Sequence, residues 1–246
     1  MTRDQEEFQD YLEASFEPFQ TADQSFSLRP IQTDQEQEVE AMHSKAGAVS
    51  ESFYIYHQAL ELFAKKAQDD KYTDLLLIES VGLGLGYNEV LAMLALSQSN
   101  LTLNCQIVSY ETEKSLVELF LKRLEQPQRY PVYWKAFKSR VDFDEQKLSN
   151  LLLKTLSFRG ALSIEQCFQF ERKAILFDAY SNQTTQDLWR ADFLNSYLSK
   201  TKKGSVFATY AATGNLNRAL KKNEFENQKK SGFSGKRQST LALKTH

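Results

Sequence analysis

The stretch that decides the fold is "DLLLIESVGLGLGYNEVLAMLALSQS", residues 74 to 99. Its apolar start reads as a buried strand, and it ends in "NEVLAMLALSQS", which reads as a helix. Between them stand Gly82, Gly84 and Gly86. Glycines placed there let the backbone turn tightly and approach a ligand closely, with the helix N-terminus behind them.

The same alternation continues on both sides. "CQIVSYE" (105–111) predicts a second strand and "KSLVELFLKRLEQ" (114–126) a helix. Residues 127 to 172 contain helical pieces and a short strand expected near Leu162. "KAILFDAY" (173–180) reads as a strand, "DLWRADFLNSYLSKT" (187–201) as a helix, "GSVFATYA" (204–211) as a strand and "NLNRALKKN" (215–223) as a helix. "FENQKKSGF" and "QSTLALKT" close the chain as two strands joined by a basic loop. Upstream, "SFYIYHQALELFAKKAQ" (52–68) has helical periodicity and ends with Lys65 and Lys66, suited to a helix C-terminus. Strands alternating with helices predict an α/β fold with a mainly parallel sheet covered on both faces. The last two strands, with no helix between them, predict an antiparallel hairpin at one side. Residues 1–50, rich in Gln and Glu and weakly periodic, read as an N-terminal extension or mobile lid packing on or near the active site, with the main domain at 51–246.

A chain of 246 residues with 41% hydrophobic and 12% aromatic residues can build a full core in one domain. No apolar run reaches the ~18 residues of a membrane span. The start "MTRDQEEFQD" is acidic and polar, unlike a signal or transit peptide. Cys105 and Cys167 have no metal-ligand spacing and suggest no disulfide, so a cytoplasmic location and no metal site are expected. The net charge of −2 conceals an asymmetry: residues 1–79 carry 17 Asp/Glu against 6 Lys/Arg, and residues 200–246 carry 11 Lys/Arg against 2 Asp/Glu. A basic end can be a nucleic-acid footprint or only a solvated face.

The glycine spacing is G-x-G-x-G, shorter than the G-x-G-x-x-G of dinucleotide proteins and more typical of S-adenosylmethionine sites. Glu111 ends the second strand, 25 residues after Gly86. Alone it is an exposed acid leading a helix; below a glycine turn it is placed to accept both hydroxyl hydrogens of a ribose. Asp178 ends the next strand, where ligands sit in open α/β sheets. It reads either as a turn acceptor leading to the following helix or as the carboxylate that accepts a hydrogen bond from a nucleophilic amine. Tyr180 is then an aromatic wall for a flat base, or a half-buried strand-end tyrosine. "QKKSGFSGKRQST" combines Lys229, Lys230, Lys236 and Arg237 with Phe233, a pattern for phosphate tracking and base stacking or for a soluble hairpin turn.

"LFDAYSNQTTQDLWRADFLNSYL", "VFATYAATGNLNRALKKNEFE" and "KKSGFSGKRQSTLAL" resemble, in order and spacing, the methyltransferase domain of the tRNA 5-methylaminomethyl-2-thiouridine biosynthesis enzymes. "MHSKAGAVSESFYIY", with Ser44, Gly47, Glu51 and Tyr54, and "GLGLGYN", ending in Asn88, resemble the family's upstream segments. The resemblance covers residues 42 to 242, poorly from 127 to 172. It implies a Rossmann-like class I S-adenosylmethionine-dependent methyltransferase, in the form that lacks the family's fused FAD oxidase domain. It further implies S-adenosyl-L-methionine as cofactor, held by Gly82, Gly84, Gly86, Asn88, Glu111 and Glu51. Asp178 matches the family's catalytic aspartate. Tyr180, Phe233, Lys236 and Arg237 fall on the substrate side, with tRNA as partner and the enzymes that install the aminomethyl group as functional neighbours.

The sequence departs from the pattern at four places. Ser80 stands where the family has an acid two positions before the first glycine; Glu79 lies one step earlier, and in a strand one step reverses the face. Glu79 therefore meets the cofactor only across a bulge. Gly160-Ala161 replaces a Gly-Asp pair, Ala179-Tyr180 replaces Gly-Phe after the aspartate, and Ser234 replaces a glycine. Two alternatives stay open: the same fold acting on a small amine, and a non-catalytic RNA- or protein-binding module that has lost the cofactor. A nicotinamide dehydrogenase is disfavoured by the glycine spacing.

Overall fold

The structure is a computed structural model that describes residues 16–31, 40–73, 75–165, 171–180, 185–235 and 238–246. Two short strands, β1 (Phe16–Gln20) and β2 (Phe26–Pro30), pair antiparallel ahead of the main domain. A helical rod follows: α1 (Ala48–Ser52), a π-helical turn (Phe53–His57) and α2 (Gln58–Asp69). Then come β3 (Leu76–Val81), α3 (Tyr87–Gln98), β4 (Cys105–Tyr110), α4 (Lys114–Glu125), α5 (Pro131–Lys138), α6 (Glu145–Thr155) and β5 (Leu156–Arg159). The remainder is β6 (Lys173–Phe177), α7 (Ala191–Ser199), β7 (Val206–Thr209), α8 (Gly214–Lys222), β8 (Phe225–Lys230) and β9 (Ser239–Lys244).

Seven strands form one sheet in the order β5-β4-β3-β6-β7-β9-β8. β3 to β7 run parallel, and the β8–β9 hairpin joins antiparallel through β9, as the sequence predicts. The short strand expected near Leu162 lies earlier, at Leu156–Arg159, where it follows α6 without a turn and pairs with β4. The helix expected from residue 187 begins instead with a 3-10 turn, Gln186–Trp189, and becomes α-helical at Ala191. Within 1–50, described residues 16–30 hold the β1–β2 hairpin, which polar composition concealed.

Alternation along the strands divides the core into two layers, as a period of two requires. Leu76, Ile78, Ile107, Ala174, Leu176, Val206 and Ala208 face α2, α3, α4 and α5. Leu77, Val81, Val108, Ile175, Phe177 and Phe207 face Trp189, α7 and α8 on the other side. α3 is buried all round from Tyr87 to Leu96, which explains why its sequence shows little amphipathic contrast.

β3 keeps a regular ladder to β4 and β6 with no bulge, so Glu79 points to the α7 layer, away from the glycine turn. There it is fully buried in an ion pair with Lys173 Nζ at 2.7 Å. Tyr197 donates to its Oε2 at 2.8 Å and Tyr110 to its Oε1 at 3.3 Å. The condition on which Glu79 would have met the cofactor is not fulfilled. Cys105 is a buried free thiol, and Cys167 lies outside the described residues.

Candidate active site

β3 and β6 are neighbours in the sheet, yet the chain leaves β3 toward β4 and returns to β6 on the opposite side. Their carboxyl ends therefore flank a topological switch point, where open α/β sheets bind ligands. The glycine turn leaves from β3 and Asp178 from β6 at this point. Asp178 N–H donates to Val81 O at 2.8 Å, prolonging the ladder past the last strand residue. Gly82 passes beside it with φ +88, and a Cβ there would sit 2.7 Å from the Asp178 carbonyl oxygen. Gly86, φ +79, has no room for a Cβ because the Phe120 ring would lie 2.3 Å away. Thus Gly82 is needed for the strand-end crossing and Gly86 for seating α3 against α4.

Glu111 leaves the end of β4 and turns back on the glycine loop. Gly84 N–H donates to its Oε2 at 3.2 Å, while Thr112 and Glu113 N–H donate to its Oε1 at 2.8 and 3.0 Å. These bonds fix the carboxylate at the lip of a cavity of about 980 Å3. That is near the upper end of small-molecule sites, which run from about 300 to 1,000 Å3.

The cavity is lined by Gly82, Gly84, Glu111, Glu51, Asp178 and Tyr180 among the residues singled out from the sequence. Gly160 and Ala161 also line it, so the departure from a Gly-Asp pair falls on its wall. Glu51, buried, accepts from Ser44 N–H at 2.7 Å. Carboxylates of Glu40, Glu113 and Asp187 add to the lining, which includes no Lys or Arg among the described residues. Such a surface favours a cationic ligand.

Asp178 is half-buried and held from two sides. Tyr56 O–H donates to Oδ1 at 2.6 Å, and Asn88 Nδ2 donates to Oδ2 at 2.8 Å. Asn88, expected at the cofactor, therefore directs its amide to the carboxylate and does not itself line the cavity. Gly86 is likewise behind the wall. Tyr180 lines the cavity, and its carbonyl is fixed by Thr185 Oγ1 at 2.6 Å and Trp189 Nε1 at 2.8 Å. Burial first, then the charges of Glu111, Glu40, Glu113 and Asp178, push the Tyr180 phenol well above its usual range.

Phe233 stands apart from this cavity. It packs on Tyr54 of the π-helical turn at 5.8 Å between ring centroids. Tyr54 O–H reaches the Ser231 carbonyl at 3.1 Å, and Lys230 bonds to the Tyr54 carbonyl. The β8–β9 connection is thereby docked on the same helical turn that carries Tyr56. Lys236 and Arg237 lie outside the described residues.

Tyr56 and Tyr210 belong to this site but were not singled out from the sequence. Tyr210 lines the cavity and donates to the Ala179 carbonyl at 3.0 Å. Tyr56 reads in sequence as an apolar helix position, and its partner lies 122 residues away.

Beneath the glycine turn, Glu89 in the first turn of α3 is wholly buried and accepts from Ser109 Oγ at 2.7 Å. Burial raises its pKa from 4.5 to about 7, against the opposing hydroxyls of Ser109 and Ser80. The unfolded chain ionises this group near 4.5 while the folded protein retains the proton to about 7. Between those values the native state binds more protons, so stability falls as pH rises, by a total on the order of 3 kcal/mol. Glu89→Gln should flatten that slope in denaturant melts taken from pH 5 to 8. An unchanged slope would show that another group sets it.

Together, the switch-point cavity, the G-x-G-x-G turn, and the acid at the end of the second core strand define an α/β methyltransferase. The model of the S-adenosyl-L-methionine-dependent methyltransferase family matches residues 120–245. The chain belongs to that family. It is similar to the tRNA 5-methylaminomethyl-2-thiouridine biosynthesis bifunctional protein MnmC of Burkholderia thailandensis, 28% identical over 134 residues. That match covers 53% of this chain and 18% of the relative. The protein of the same name from Burkholderia pseudomallei is 30% identical over 98 residues, 40% of this chain and 14% of the relative. The chain thus matches less than a fifth of the length of these relatives. In fold it is similar to the crystal structure of MNMC2 from Aquifex aeolicus, with a TM-score of 0.64 and 24% identity over 94% of this chain and 71% of that one. Among the described residues no helix is long and apolar enough to cross a membrane, and no cluster of His, Cys, Asp and Glu could hold a metal ion.

Proposed function

We propose that the chain is an N-methyltransferase that uses S-adenosyl-L-methionine to methylate the aminomethyl group of wobble 5-aminomethyl(-2-thio)uridine in tRNA. The observation that carries this reading is Asp178, fixed by Tyr56 and Asn88 inside an acid-lined cavity at the switch point. The relatives, whose name specifies tRNA 5-methylaminomethyl-2-thiouridine biosynthesis, support the choice of substrate.

The residues present suit the cofactor. Gly84 leaves the loop wall open, since the nearest atom to a Cβ there would be Met42 Sδ at 3.5 Å, and Gly82 lets the loop pass the Asp178 carbonyl. Glu111 stands at the lip as the ribose acceptor, and Glu51 adds negative charge within the cavity. Gly86 and Asn88 act from behind, one by seating α3 and the other through Asp178. When bound, S-adenosylmethionine supplies a methyl group on a positively charged sulfur, which a neutral amine displaces in line.

For that displacement the chain must orient and deprotonate the amine. Asp178 accepts one N–H of the aminomethyl group, turning the nitrogen lone pair toward the methyl carbon, and can take the proton the amine sheds. Tyr180 forms a wall along the flat base. Phe233 serves the RNA from outside the cavity, and the sequence resemblance assigns Lys236 and Arg237 to the same substrate. Residues 1–50 are read as an N-terminal extension, of which the described residues Phe16, Pro30 and Met42 line the cavity, and residues 51–246 as the methyltransferase domain. The protein would work in the cytoplasm, downstream of the enzymes that install the aminomethyl group.

The test is incubation with labelled S-adenosylmethionine and tRNA that lacks the terminal methyl, followed by nucleoside analysis. Label in methylaminomethyluridine is the expected result. Absence of label there, with transfer to a free small amine, would replace the tRNA reading with a small-amine methyltransferase. Phe233 outside the cavity is the observation that favours this second reading.

A further inference from the structure

The segment between α1 and α2 is a π-helical turn, Phe53–His57. Insertions of this kind inside α-helices occur frequently at functional sites. Here the turn, together with the end of α1, presents Glu51, Ser52 and Tyr56 to the cavity. Tyr56 is 1% exposed, and its only polar atom beyond the backbone meets Asp178 Oδ1 at 2.6 Å. Burial and then the Asp178 charge push the phenol well above its usual range, so it remains a donor throughout the working pH. Asn88 approaches the other carboxylate oxygen from the first turn of α3. The two donors come from separate helices, and neither belongs to the strand that carries Asp178. Approaching one oxygen each, they set the plane of the carboxylate.

We propose that Tyr56 is a positioning residue for methyl transfer: its hydroxyl, delivered by the π-helical turn, holds the Asp178 carboxylate in the plane in which it meets the substrate amine. This rests on the reading of Asp178 as the group that contacts that amine. Tyr56 acts through Asp178 and needs no contact with substrate or cofactor. Misplacing a catalytic group by about 1 Å can cost about 10²-fold in rate.

The experiment compares wild type and Tyr56→Phe using the acceptor that wild type methylates. Expected for Tyr56→Phe is a fall in kcat of about 10- to 100-fold with cofactor affinity by calorimetry unchanged. The acid limb of its kcat–pH profile should move to higher pH, because the carboxylate loses a donor that favours its ionised form. A second arm places 3-fluorotyrosine at position 56, which keeps the packing and strengthens the donor; the acid limb should then move the opposite way. That arm reads the hydroxyl even if the phenylalanine variant folds poorly. Wild-type kcat and an unmoved acid limb in both arms overturn the positioning role alone. A wild-type protein that transfers no methyl to tRNA or to any amine overturns the proposed function and this inference with it.

Discussion

Asp178→Asn should lose most methyl transfer, a fall of about 10²- to 10⁴-fold in kcat, while cofactor binding persists. The substitution keeps the size of the side chain but not its symmetry. Two donors, Tyr56 O–H and Asn88 Nδ2, converge on the carboxylate. An amide has one accepting oxygen, so its NH2 group would confront one of these donors. The amine would lose its acceptor, and the carboxylate that can receive its proton would be gone. Steady-state kinetics paired with calorimetry on S-adenosylmethionine distinguishes this from simple collapse of the site. Wild-type turnover in the variant would reduce Asp178 to a strand-end turn residue.

The largest effect on stability is expected at Lys173. Its ammonium and the Glu79 carboxylate are both fully buried, 2.7 Å apart, with Tyr197 and Tyr110 hydroxyls completing the carboxylate's shell. Lys173→Met leaves a buried carboxylate without its cation, at a cost of about 3–5 kcal/mol. For a chain of this length that corresponds to a fall in Tm of roughly 10 °C. Adding Glu79→Met removes the stranded charge and should recover much of the loss, since a well-packed apolar pair often matches a buried ion pair. Thermal melts of the two variants decide the matter: equal Tm in wild type and Lys173→Met would mean that the pair contributes nothing.

What was legible in the sequence is what local rules govern. The run into Gly82, the helix after Gly86 and the acid after β4 follow from period and punctuation, and they locate one end of the sheet. Asp178 could be placed at the same edge because it directly follows an apolar strand. The side to which Glu79 points depends on whether β3 carries a bulge, a property of its ladder to β4 and β6 and not of its own residues. β5 was expected too late in the chain because Leu156 follows α6 without a turn residue, and its pairing with β4 is what makes it a strand. Tyr56 itself, and the contact of Asn88 with Asp178, were hidden for the same reason in stronger form: the partner is 122 and 90 residues away, and nothing near either names it. Phe233 packs on a tyrosine 179 positions earlier, a contact that nothing near it in the sequence announces.

The π-helical turn has a consequence for how this chain can vary in length. An α-helix advances about 100° per residue, so deleting one residue from Phe53–His57 would regularise the rod while rotating one side against the other. Tyr54 engages Ser231 and Phe233 on the hairpin, and Tyr56, two residues on, engages Asp178. A rod shortened at Ile55, between the two tyrosines, could keep one of these engagements in register but not both. Individual side chains along the turn can be exchanged with partial losses, whereas a single-residue deletion would disconnect the hairpin from the carboxylate in one step. Descendants of this chain should therefore tolerate substitution in this segment far better than any change in its residue count.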